Sequence, residues 1–416
     1  MKATRMPRSF APLFFGLLTL TVPAQTECDG LRYSDPAVFD SVTVTLAVPF
    51  GANTPVVGSG SQTLYMDVYE PFGDTVSSRP TVLIAFGGSF VGGQRSDVAE
   101  LCKAFARSGY VAVAPDYRVG FFFPAELSTT RAVMRSAHDL RACVRYLHKS
   151  ISDLGDPYRI DPDRIIVGGV SAGAIGAVHM AYLDQESEIP AVLYNDTAAL
   201  GGLAGNSGSP GYPETIAGVI SFSGAIGDTA WIDTGDEPMC SIHEVGDYLV
   251  PYGTAQVSVA GIPTGLTASG GADMAVRTAN VGVENCFLSY PTANHVGYLT
   301  LDYAYSFGHV LDFCGKLVCG EPLACGSVFT SVTGPEQLPA PLTVWPNPSS
   351  GLVQLVLEER AVVKVLDMMG REVFSDGRNA GRCTLDLGGL PAGTYTIHVL
   401  GGTMRTGRVV LDGGGR

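Results

Sequence analysis

The sequence predicts an α/β fold, with a mostly parallel sheet flanked by helices, followed by a small C-terminal antiparallel β-sandwich. Two patterns carry this prediction. Between residues 28 and 325, short apolar runs alternate with segments of helical period, which is typical of a parallel sheet covered by helices. From residue 342 onward only short strand-like runs occur, separated by turn residues and without a helical period. The change of pattern predicts separate domains at 25–325 and 342–416.

The apolar runs of the first domain have the length of buried strands and end in turn residues. The run at 81–85 is continuously apolar and leads into two glycines, as expected of a strand buried on both faces. Apolar residues at 132–147 recur in steps of three and four, which places them on one helix face. The same patterns predict strands at 81–85, 110–114, 164–167, 219–222 and 286–290, and helices at 97–107, 132–147, 172–182 and 298–317.

Three stretches interrupt this regular alternation. Gly, Ala and Ser are enriched at 198–214 and 259–283, which predicts insertions over the sheet's C-terminal edge. Such insertions serve as lids or substrate walls, or are simply surface loops. Pro, Ser, Thr and Gly dominate at 326–341, as in an interdomain linker.

Composition excludes several classes of protein. Of the 416 residues, 46% are hydrophobic and 16% are charged, so the chain can bury a sizeable core and is not globally disordered. The formal net charge is −14, which offers no basic surface for a phosphate backbone. We therefore expect no nucleic-acid partner.

The N-terminal segment has the pattern of a secretory signal peptide. Lys2, Arg5 and Arg8 precede an apolar run at 10–22, and cleavage is predicted near Ala24. The alternative, a transmembrane anchor, needs about 20 apolar residues, and this run is shorter. No later stretch is long and apolar enough, so we expect an exported chain without a transmembrane segment.

Export determines how the nine cysteines are interpreted, because paired cysteines are the norm in an oxidising compartment. The spacing of Cys314, Cys319 and Cys325 fits no zinc pattern, so disulfides are expected and no metal is. Connectivity cannot be deduced from sequence; Cys102–Cys143 and Cys240–Cys286 are the suggested pairs. An odd count leaves at least one cysteine unpaired.

The string Gly169-Val170-Ser171-Ala172-Gly173 lies between the predicted strand at 164–167 and the predicted helix at 172–182. This Gly-x-Ser-x-Gly pattern is typical of a nucleophile elbow, a sharp turn that exposes a serine hydroxyl above the sheet. Glycines are needed at 169 and 173 because side chains would clash in so tight a turn. Ser171 is the candidate nucleophile; a glycine-rich turn with a passive serine is the alternative.

A second glycine-rich string, Phe86-Gly87-Gly88-Ser89-Phe90, follows the predicted strand at 81–85. A nucleophilic serine needs a neighbouring loop whose N–H groups bind the oxyanion of the tetrahedral intermediate, and glycines let the backbone approach the substrate. We expect the N–H groups of Gly88 and Ser89 to form an oxyanion hole together with that of Ala172.

With these strings, most of residues 60–315 resemble the carboxylesterases of the α/β-hydrolase fold, including the branch with a His-Gly-Gly-Gly loop. Asp116-Tyr117-Arg118 and Asp161-Pro162-Asp163-Arg164 fit the same pattern. Phe86 stands where a histidine or tyrosine is usual, and Ser89 replaces the third glycine. The resemblance implies an α/β-hydrolase fold for the first domain and hydrolysis of carboxylic esters.

A serine nucleophile needs a histidine to take its proton and a carboxylate to orient that histidine. In this family the chain order is serine, acid, histidine, and residues 243–252 match the family's acid loop, which ends in Val-Pro-Tyr. The resemblance implies Asp247 as the acid, with His243 in a supporting position. From the residues alone, the alternatives are Asp228, Asp233, Asp236 and Glu244.

The same chain order narrows the choice of histidine. Four of the seven histidines precede residue 247, and His398 lies in the C-terminal domain, which leaves His295 and His309. His295 follows the predicted strand at 286–290 through a short loop, whereas His309 lies within the predicted helix at 298–317. His295 is therefore the favoured base, and His309 the alternative.

Three strings in the C-terminal domain carry a second resemblance: Val344-Trp345-Pro346-Asn347-Pro348, residues 366–373 (LDMMGREV) and residues 390–395 (LPAGTY). They resemble the C-terminal sorting domain of type IX secretion substrates. This implies export through the periplasm, the type IX secretion machinery as a partner, and a secreted or cell-surface location.

Together these features predict a secreted serine carboxylesterase that uses Ser171, His295 and Asp247 through an acyl-enzyme intermediate. The sequence lacks a His-Glu-x-x-His helix, a Gly-Lys-Ser/Thr phosphate loop and a dinucleotide-binding glycine motif, so no cofactor is expected. The alternatives are a serine peptidase of the same fold and an inactive binding or adhesion module. Small-molecule esters and polymer-linked esters both remain open as substrates.

Overall fold

The computed structural model describes residues 27–121, 123–259, 262–325, 328–329, 340–367, 372–400 and 405–412. The predicted signal peptide at 1–24 and most of the predicted linker at 326–341 lie outside these residues.

Twelve strands and seven helices of the described chain precede residue 340. The strands are β1 Val42–Asn53, β2 Gln62–Pro71, β3 Arg79–Ala85, β4 Val111–Pro115, β5 Ile160–Val170, β6 Gly218–Phe222, β7 Ala225–Ile226, β8 Met239–Glu244, β9 Thr254–Val259, β10 Ile262–Gly270, β11 Asn285–Tyr290 and β12 Val328–Phe329. The helices are α1 Ala99–Arg107, α2 Glu126–Asp153, α3 Ala172–Tyr182, α4 Thr197–Leu200, α5 Gly271–Val281, α6 Tyr298–Leu301 and α7 Tyr303–Val318. Short 3-10 turns lie at Arg95–Val98, Glu186–Glu188, Ala191–Leu193 and Thr229–Trp231.

Nine of the strands form one sheet in the order β1-β2-β4-β3-β5-β6-β8-β11-β12. β1 and β2 pair antiparallel, and β2 also pairs antiparallel with β4. All neighbours from β4 to β12 are parallel. The predicted mostly parallel sheet is confirmed, and each of the five predicted strands lies in it.

Burial explains why these strands read as continuous apolar runs. Every residue of β3, β4, β6 and β8 is buried. Because successive side chains of a strand point to opposite faces, both faces of the sheet must be covered. Because the strands from β4 to β12 are parallel, their carboxyl ends lie at the same edge of this buried sheet.

The longest helix, α2, extends beyond the predicted segment 132–147 at both ends, and within that segment it buries polar side chains that have partners. Asp139 accepts hydrogen bonds from the Arg118 guanidinium at 2.9–3.2 Å. Arg141 and Arg145 both form ion pairs with Glu214. Beyond the predicted segment the buried side chains of α2 are polar (Thr129, Thr130, His148 and Ser150), so no apolar period marks its two ends.

The predicted helix at 298–317 is two helices. Asp302, between α6 and α7, leaves the helical region with φ −143° and ψ 46°. Its carboxylate accepts a hydrogen bond from the Tyr290 hydroxyl at 2.9 Å, which ties the break to the end of β11.

The two predicted insertions differ in structure. Residues 198–214 are anchored to α2, because Arg145 donates to the carbonyl oxygens of Ala204 and Gly208 at 2.9 Å. The stretch at 259–283 is mainly regular structure, since it holds β10 and α5. β7, β10 and β9 form a separate antiparallel sheet in that order.

The C-terminal part forms two small sheets around its own apolar core. One has the order β13-β19-β18-β15-β16, and the other pairs β14 with β17. Apart from the parallel contact of β13 with β19, the pairings are antiparallel. The strands are β13 Ala340–Pro341, β14 Leu352–Leu357, β15 Ala361–Leu366, β16 Glu372–Arg378, β17 Gly381–Asp386, β18 Gly393–Leu400 and β19 Arg405–Leu411.

The structure contains disulfides, but both suggested pairings are wrong. The bonds join Cys28 to Cys319 and Cys286 to Cys325. Cys102 and Cys143 are free, fully buried thiols, and burial raises the pKa of both. Cys240 does lie opposite Cys286 on the neighbouring strand, yet Cys286 bonds instead to the segment that follows α7.

Disulfide mapping checks this connectivity. Digestion of the unreduced, alkylated protein should yield crosslinked peptides for Cys28–Cys319 and Cys286–Cys325, with the other five cysteines alkylated after unfolding. Because Cys28–Cys319 closes a loop of almost 300 residues, the double variant C28S/C319S should lose about 2–4 kcal/mol of unfolding free energy. The control is Cys314→Ser, which removes a free thiol. Reductant should change the Tm of this variant by as much as it changes the Tm of the wild type. A peptide joining Cys102 to Cys143 would contradict this connectivity.

Candidate active site

Four loops meet at the carboxyl edge of the large sheet. They follow β3, β5, β8 and β11, and they carry residues 86–90, Ser171, Asp247 and His295 respectively. Since neighbouring parallel strands end at the same edge, residues far apart in sequence come together there.

Ser171 occupies the turn between β5 and α3 with φ 54° and ψ −118°. A positive φ is costly for a residue with a side chain, and here neighbouring atoms enforce it. The Ser171 N–H donates to the Phe222 carbonyl oxygen at 2.8 Å. A Cβ on Gly173 would lie 2.3 Å from the Ala85 carbonyl oxygen, and one on Gly169 would lie 2.3 Å from the Gly173 carbonyl carbon. Both glycines of the motif are therefore required by close backbone packing.

The structure brings Ser171, His295 and Asp247 into one hydrogen-bonded line. The Ser171 hydroxyl is 2.7 Å from His295 Nε2, and His295 Nδ1 is 2.7 Å from Asp247 Oδ2. All three side chains are almost completely buried. With Nδ1–H donating to the carboxylate, Nε2 is left as an acceptor for the serine proton.

Asp247 is held ionised by several donors. The N–H groups of Leu249 and Val250 both donate to its Oδ1 at 2.9 Å. Burial works to raise the pKa of Asp247, but His295 and His243 outweigh it and hold that pKa well below its usual range. The carboxylate is thus available as a fixed negative charge beside His295.

His243 supports this carboxylate, as expected. Its Nδ1 accepts from the Gly271 N–H at 3.1 Å, so its proton is on Nε2. That Nε2–H donates to the Val250 carbonyl oxygen at 3.2 Å and lies 3.4 Å from Asp247 Oδ2. The His243 side chain thereby joins the acid loop to the start of α5.

The electrostatic surroundings of His295 favour its protonated form. Burial works to lower the pKa of His295, but the charge and hydrogen bond of Asp247, with the Glu244 carboxyl, outweigh it, so the pKa is raised above 6.5. Glu244 is itself completely buried. Burial raises the pKa of Glu244 to about 7, so this carboxyl titrates near neutral pH.

The predicted oxyanion loop lies directly over the serine. A Cβ on Gly87 would be 3.3 Å from the Ser171 Cβ. Gly88, Ser89 and Phe90 all have positive φ, which turns the loop sharply after β3. The N–H groups of Gly88 and Ser89 donate to no other described residue. Ala172 is the first residue of α3, where an N–H has no partner within the helix.

Tyr117 holds this loop, a role that the sequence did not reveal. Its ring stacks on Phe86 with centroids 4.3 Å apart, and its hydroxyl donates to the Phe86 carbonyl oxygen at 2.8 Å. Phe86 thus packs by stacking where the family usually has a histidine or tyrosine. The only sequence signal was the Asp-Tyr-Arg string, which matches the family without indicating a contact.

Ser171 borders two cavities. The Trp231 cavity, of about 360 Å³, is lined largely by apolar side chains of α2, α3, β9 and β10, together with Trp231 and His179. Thr396 and Arg408 of the C-terminal sheet contribute to its border. The Tyr303 cleft, of about 630 Å³, contains His295, Gln94, Asp97 and Tyr303. Ser89 also borders both.

The stretch at 259–283 contributes Leu266, Thr267 and Ala268 to the Trp231 cavity and so forms a wall of it. The stretch at 198–214 borders neither cavity. Chain order excludes His179 as the expected base. Burial lowers the pKa of His179 to about 4, and its ring packs against Trp231 with centroids 5.5 Å apart. An isolated tryptophan and a histidine within a helix do not indicate a cavity from the sequence alone.

The alternative site residues lie elsewhere or have other contacts. His309 lies in α7, and its Nε2 is 2.9 Å from the Cys286 carbonyl oxygen on β11. Asp228 caps a 3-10 turn, Asp233 pairs with Arg277, and Asp236 accepts from the Asp233 N–H. Glu244 lies near the site but is not bonded to His295. Within the described ranges, no group of three or more His, Cys, Asp or Glu side chains is placed to hold a metal ion.

Two family models match the chain. Residues 66–226 match BD-FAE, an esterase family of the α/β-hydrolase class, and residues 343–411 match the secretion system C-terminal sorting domain. Secreted lipase 1 of Botryotinia fuckeliana is 32% identical over 183 residues, which are 39% of this chain and 30% of that protein. The chain thus spans under a third of the length of this curated relative.

Solved structures of esterase 2 from Thermogutta terrifontis are also similar. The butyrate-bound form is 18% identical, with a TM-score of 0.46, and the match covers 66% of this chain and 97% of that one. The form phosphoramylated by tabun is 19% identical, with a TM-score of 0.44 and coverages of 65% and 95%.

The BD-FAE match and the strand order confirm the predicted α/β-hydrolase fold. The sorting-domain match confirms the second resemblance and indicates export to a secreted or cell-surface location. Across the described residues, no helix has both the length and the hydropathy needed to cross a membrane.

The packing at Gly173 can be tested by substitution. Gly173→Ala places a methyl group against backbone oxygen atoms, which cannot move without displacing β3, so the free energy of unfolding should fall by about 1–3 kcal/mol. The control is Gly308→Ala in α7, where nothing lies within 4 Å of the added Cβ; it should gain up to about 1 kcal/mol. Denaturant unfolding measures both, and equal effects would show that Gly173 is not required by packing.

Proposed function

We propose that the protein is a secreted serine carboxylesterase, which hydrolyses carboxylic esters through an acyl-enzyme intermediate. The observation that carries this proposal is the hydrogen-bonded line from Asp247 through His295 to Ser171, with both heavy-atom distances at 2.7 Å. The similarity to esterases and lipases supports the same reaction class.

In the first step, Ser171 Oγ attacks the ester carbonyl carbon while His295 Nε2 takes its proton. Asp247 holds the imidazole in the required tautomer and stabilises the imidazolium that forms. The bond from Oγ to the carbonyl carbon forms, the bond from carbon to the alkoxy oxygen breaks, and His295 returns the proton to the departing alcohol.

The N–H groups of Gly88, Ser89 and Ala172 supply the oxyanion hole in this proposal. Each donor of this kind is worth about 3–4 kcal/mol of barrier. Water then enters, gives a proton to His295 and attacks the acyl carbon, so that the carboxylic acid leaves and Ser171 Oγ regains its proton. The cycle needs no group beyond the chain itself and water.

Loss of the nucleophile should separate activity from stability. Ser171→Ala should lower kcat/KM for p-nitrophenyl esters by about 10⁴-fold or more, while the free energy of unfolding changes by no more than about 1 kcal/mol. Labelling by a fluorophosphonate probe should disappear in the same variant.

Ser223→Ala is the matched control, because Ser223 is also buried, has φ 53°, and bonds through its hydroxyl to the Tyr298 hydroxyl at 3.1 Å. It should retain labelling and most activity. A wild-type protein that neither hydrolyses these esters nor reacts with the probe would refute the esterase and leave a binding or adhesion module.

The acid limb of the pH profile should report His295. His295 must be neutral to accept the proton, and its pKa is raised, so kcat/KM should fall on acidification with a midpoint above about 6.5. Glu244→Gln removes one of the charges that favour the imidazolium, so the midpoint should move to lower pH by roughly 0.5–1 unit.

Glu237→Gln is the control for this shift, since Glu237 is a partly buried carboxyl whose charged neighbours are Asp236 and Asp184. Its profile should match the wild type. A rate that stays constant from pH 5 to 8 would exclude His295 as the base.

A further inference from the structure

The two cavities that share Ser171 differ in their relation to His295, and this difference assigns the two halves of an ester. This inference rests on the proposed function. His295 borders the Tyr303 cleft and not the Trp231 cavity. The departing alkoxide must receive its proton from His295 Nε2, so the alcohol half has to lie on the side of the cleft. The acyl half, which stays bonded to Ser171, is then directed toward the other side.

We propose that the Trp231 cavity binds the acyl chain of the substrate, a straight aliphatic chain of about six to ten carbons, and that the alcohol leaves through the Tyr303 cleft.

The volume of the Trp231 cavity sets the length of this chain. About 360 Å³ corresponds to about a dozen groups of the size of a water molecule, at about 30 Å³ each. An acetyl group would fill only a small part of this volume, whereas a chain of about ten carbons would occupy most of it.

The walls of the Trp231 cavity match a hydrocarbon. Met134 is 3% exposed and comes from α2, and Ile175 comes from the first turns of α3, one turn beyond Ser171. Leu266 on β10, Trp231 and several valines extend the apolar lining, while a few charged side chains, among them Glu126 and Asp228, also border the cavity. His179 is neutral there, because burial lowers its pKa to about 4 and both ring nitrogens have backbone partners. Burying methylene groups against such walls is favourable by transfer from water.

The Tyr303 cleft has different chemistry. Gln94, Thr300 and Tyr303 offer polar groups, while Asp97 and Glu100 place negative charge on its walls. An alcohol that carries phosphate or carboxylate groups would be repelled there. A neutral alcohol with further hydroxyl groups fits the lining, and it can leave toward solvent past half-exposed Tyr303.

Constitutional isomers test the orientation directly. Methyl nonanoate and octyl acetate have the same formula, but the long chain is on the acyl side in one and on the alcohol side in the other. The full-length protein should hydrolyse methyl nonanoate with kcat/KM at least about tenfold higher, since each buried methylene contributes up to roughly fourfold. A preference for octyl acetate would overturn the assignment.

Substitution in the wall tests the location. Leu266→Trp fills part of the Trp231 cavity, so it should lower kcat/KM for methyl nonanoate about tenfold more than for methyl acetate. Ile262→Trp, the matched control on the same strand, changes an aliphatic side chain that is 39% exposed and outside the cavity; it should leave the ratio of the two substrates unchanged. An equal loss for both substrates in Leu266→Trp would overturn the location.

Different experimental results would refute this inference and the proposed function. Hydrolysis of methyl acetate without any gain from a longer acyl chain would refute the acyl cavity and leave the esterase intact. Absence of hydrolysis for every ester, together with absence of fluorophosphonate labelling, would refute both. The isomer comparison uses the unmodified protein, so it stands even if Leu266→Trp does not fold.

Discussion

One backbone conformation, the positive φ at Ser171, organises the whole carboxyl edge of the sheet. Such a conformation costs about 1–3 kcal/mol, and it persists because the surrounding chain leaves no alternative. Phe222 on β6 accepts the Ser171 N–H, and Gly173 packs on the end of β3 at a distance that no side chain allows. The same turn aims the hydroxyl at His295 and starts α3 with a free N–H. The positive φ at this one residue therefore fixes the Ser171 hydroxyl relative to the ends of β3, β5 and β6.

Charge at the site is arranged by two carboxyls with different environments. Asp247 receives two backbone N–H groups and two imidazoles, so its pKa is held far below the usual range. Glu244, three residues earlier, is buried and has a pKa of about 7. Neighbouring groups whose pKa values are pushed apart take different roles at one pH. Asp247 is a permanent charge, whereas Glu244 adds a second charge only as the pH rises.

Much of the fold could be predicted from the sequence because β3 to β6 are buried on both faces and read as apolar runs. The glycine-flanked Ser171 could be found because its local geometry demands those glycines. The edge strand β1 and its neighbour β2 gave no such run, because β1 is largely exposed and polar residues interrupt the apolar ones in β2. The break at Asp302 and the disulfide partners depend on contacts between distant segments, which no local pattern contains. Choosing Asp247 among five carboxyls required a family resemblance for the same reason.

The bond between Cys28 and Cys319 turns most of the chain into a covalent ring. Ser171, Asp247 and His295 all lie inside the ring, and the second bond, at Cys286, fastens the next few residues to it. A protease that nicks one exposed loop of the ring leaves the two fragments tied together, with every strand end in place. A cut between Cys325 and Leu342, by contrast, frees the sorting sheets as a separate piece. Proteolysis in this segment would thus remove the sorting sheets, with the cavity border that Thr396 and Arg408 form, while the disulfide ring still holds Ser171, Asp247 and His295.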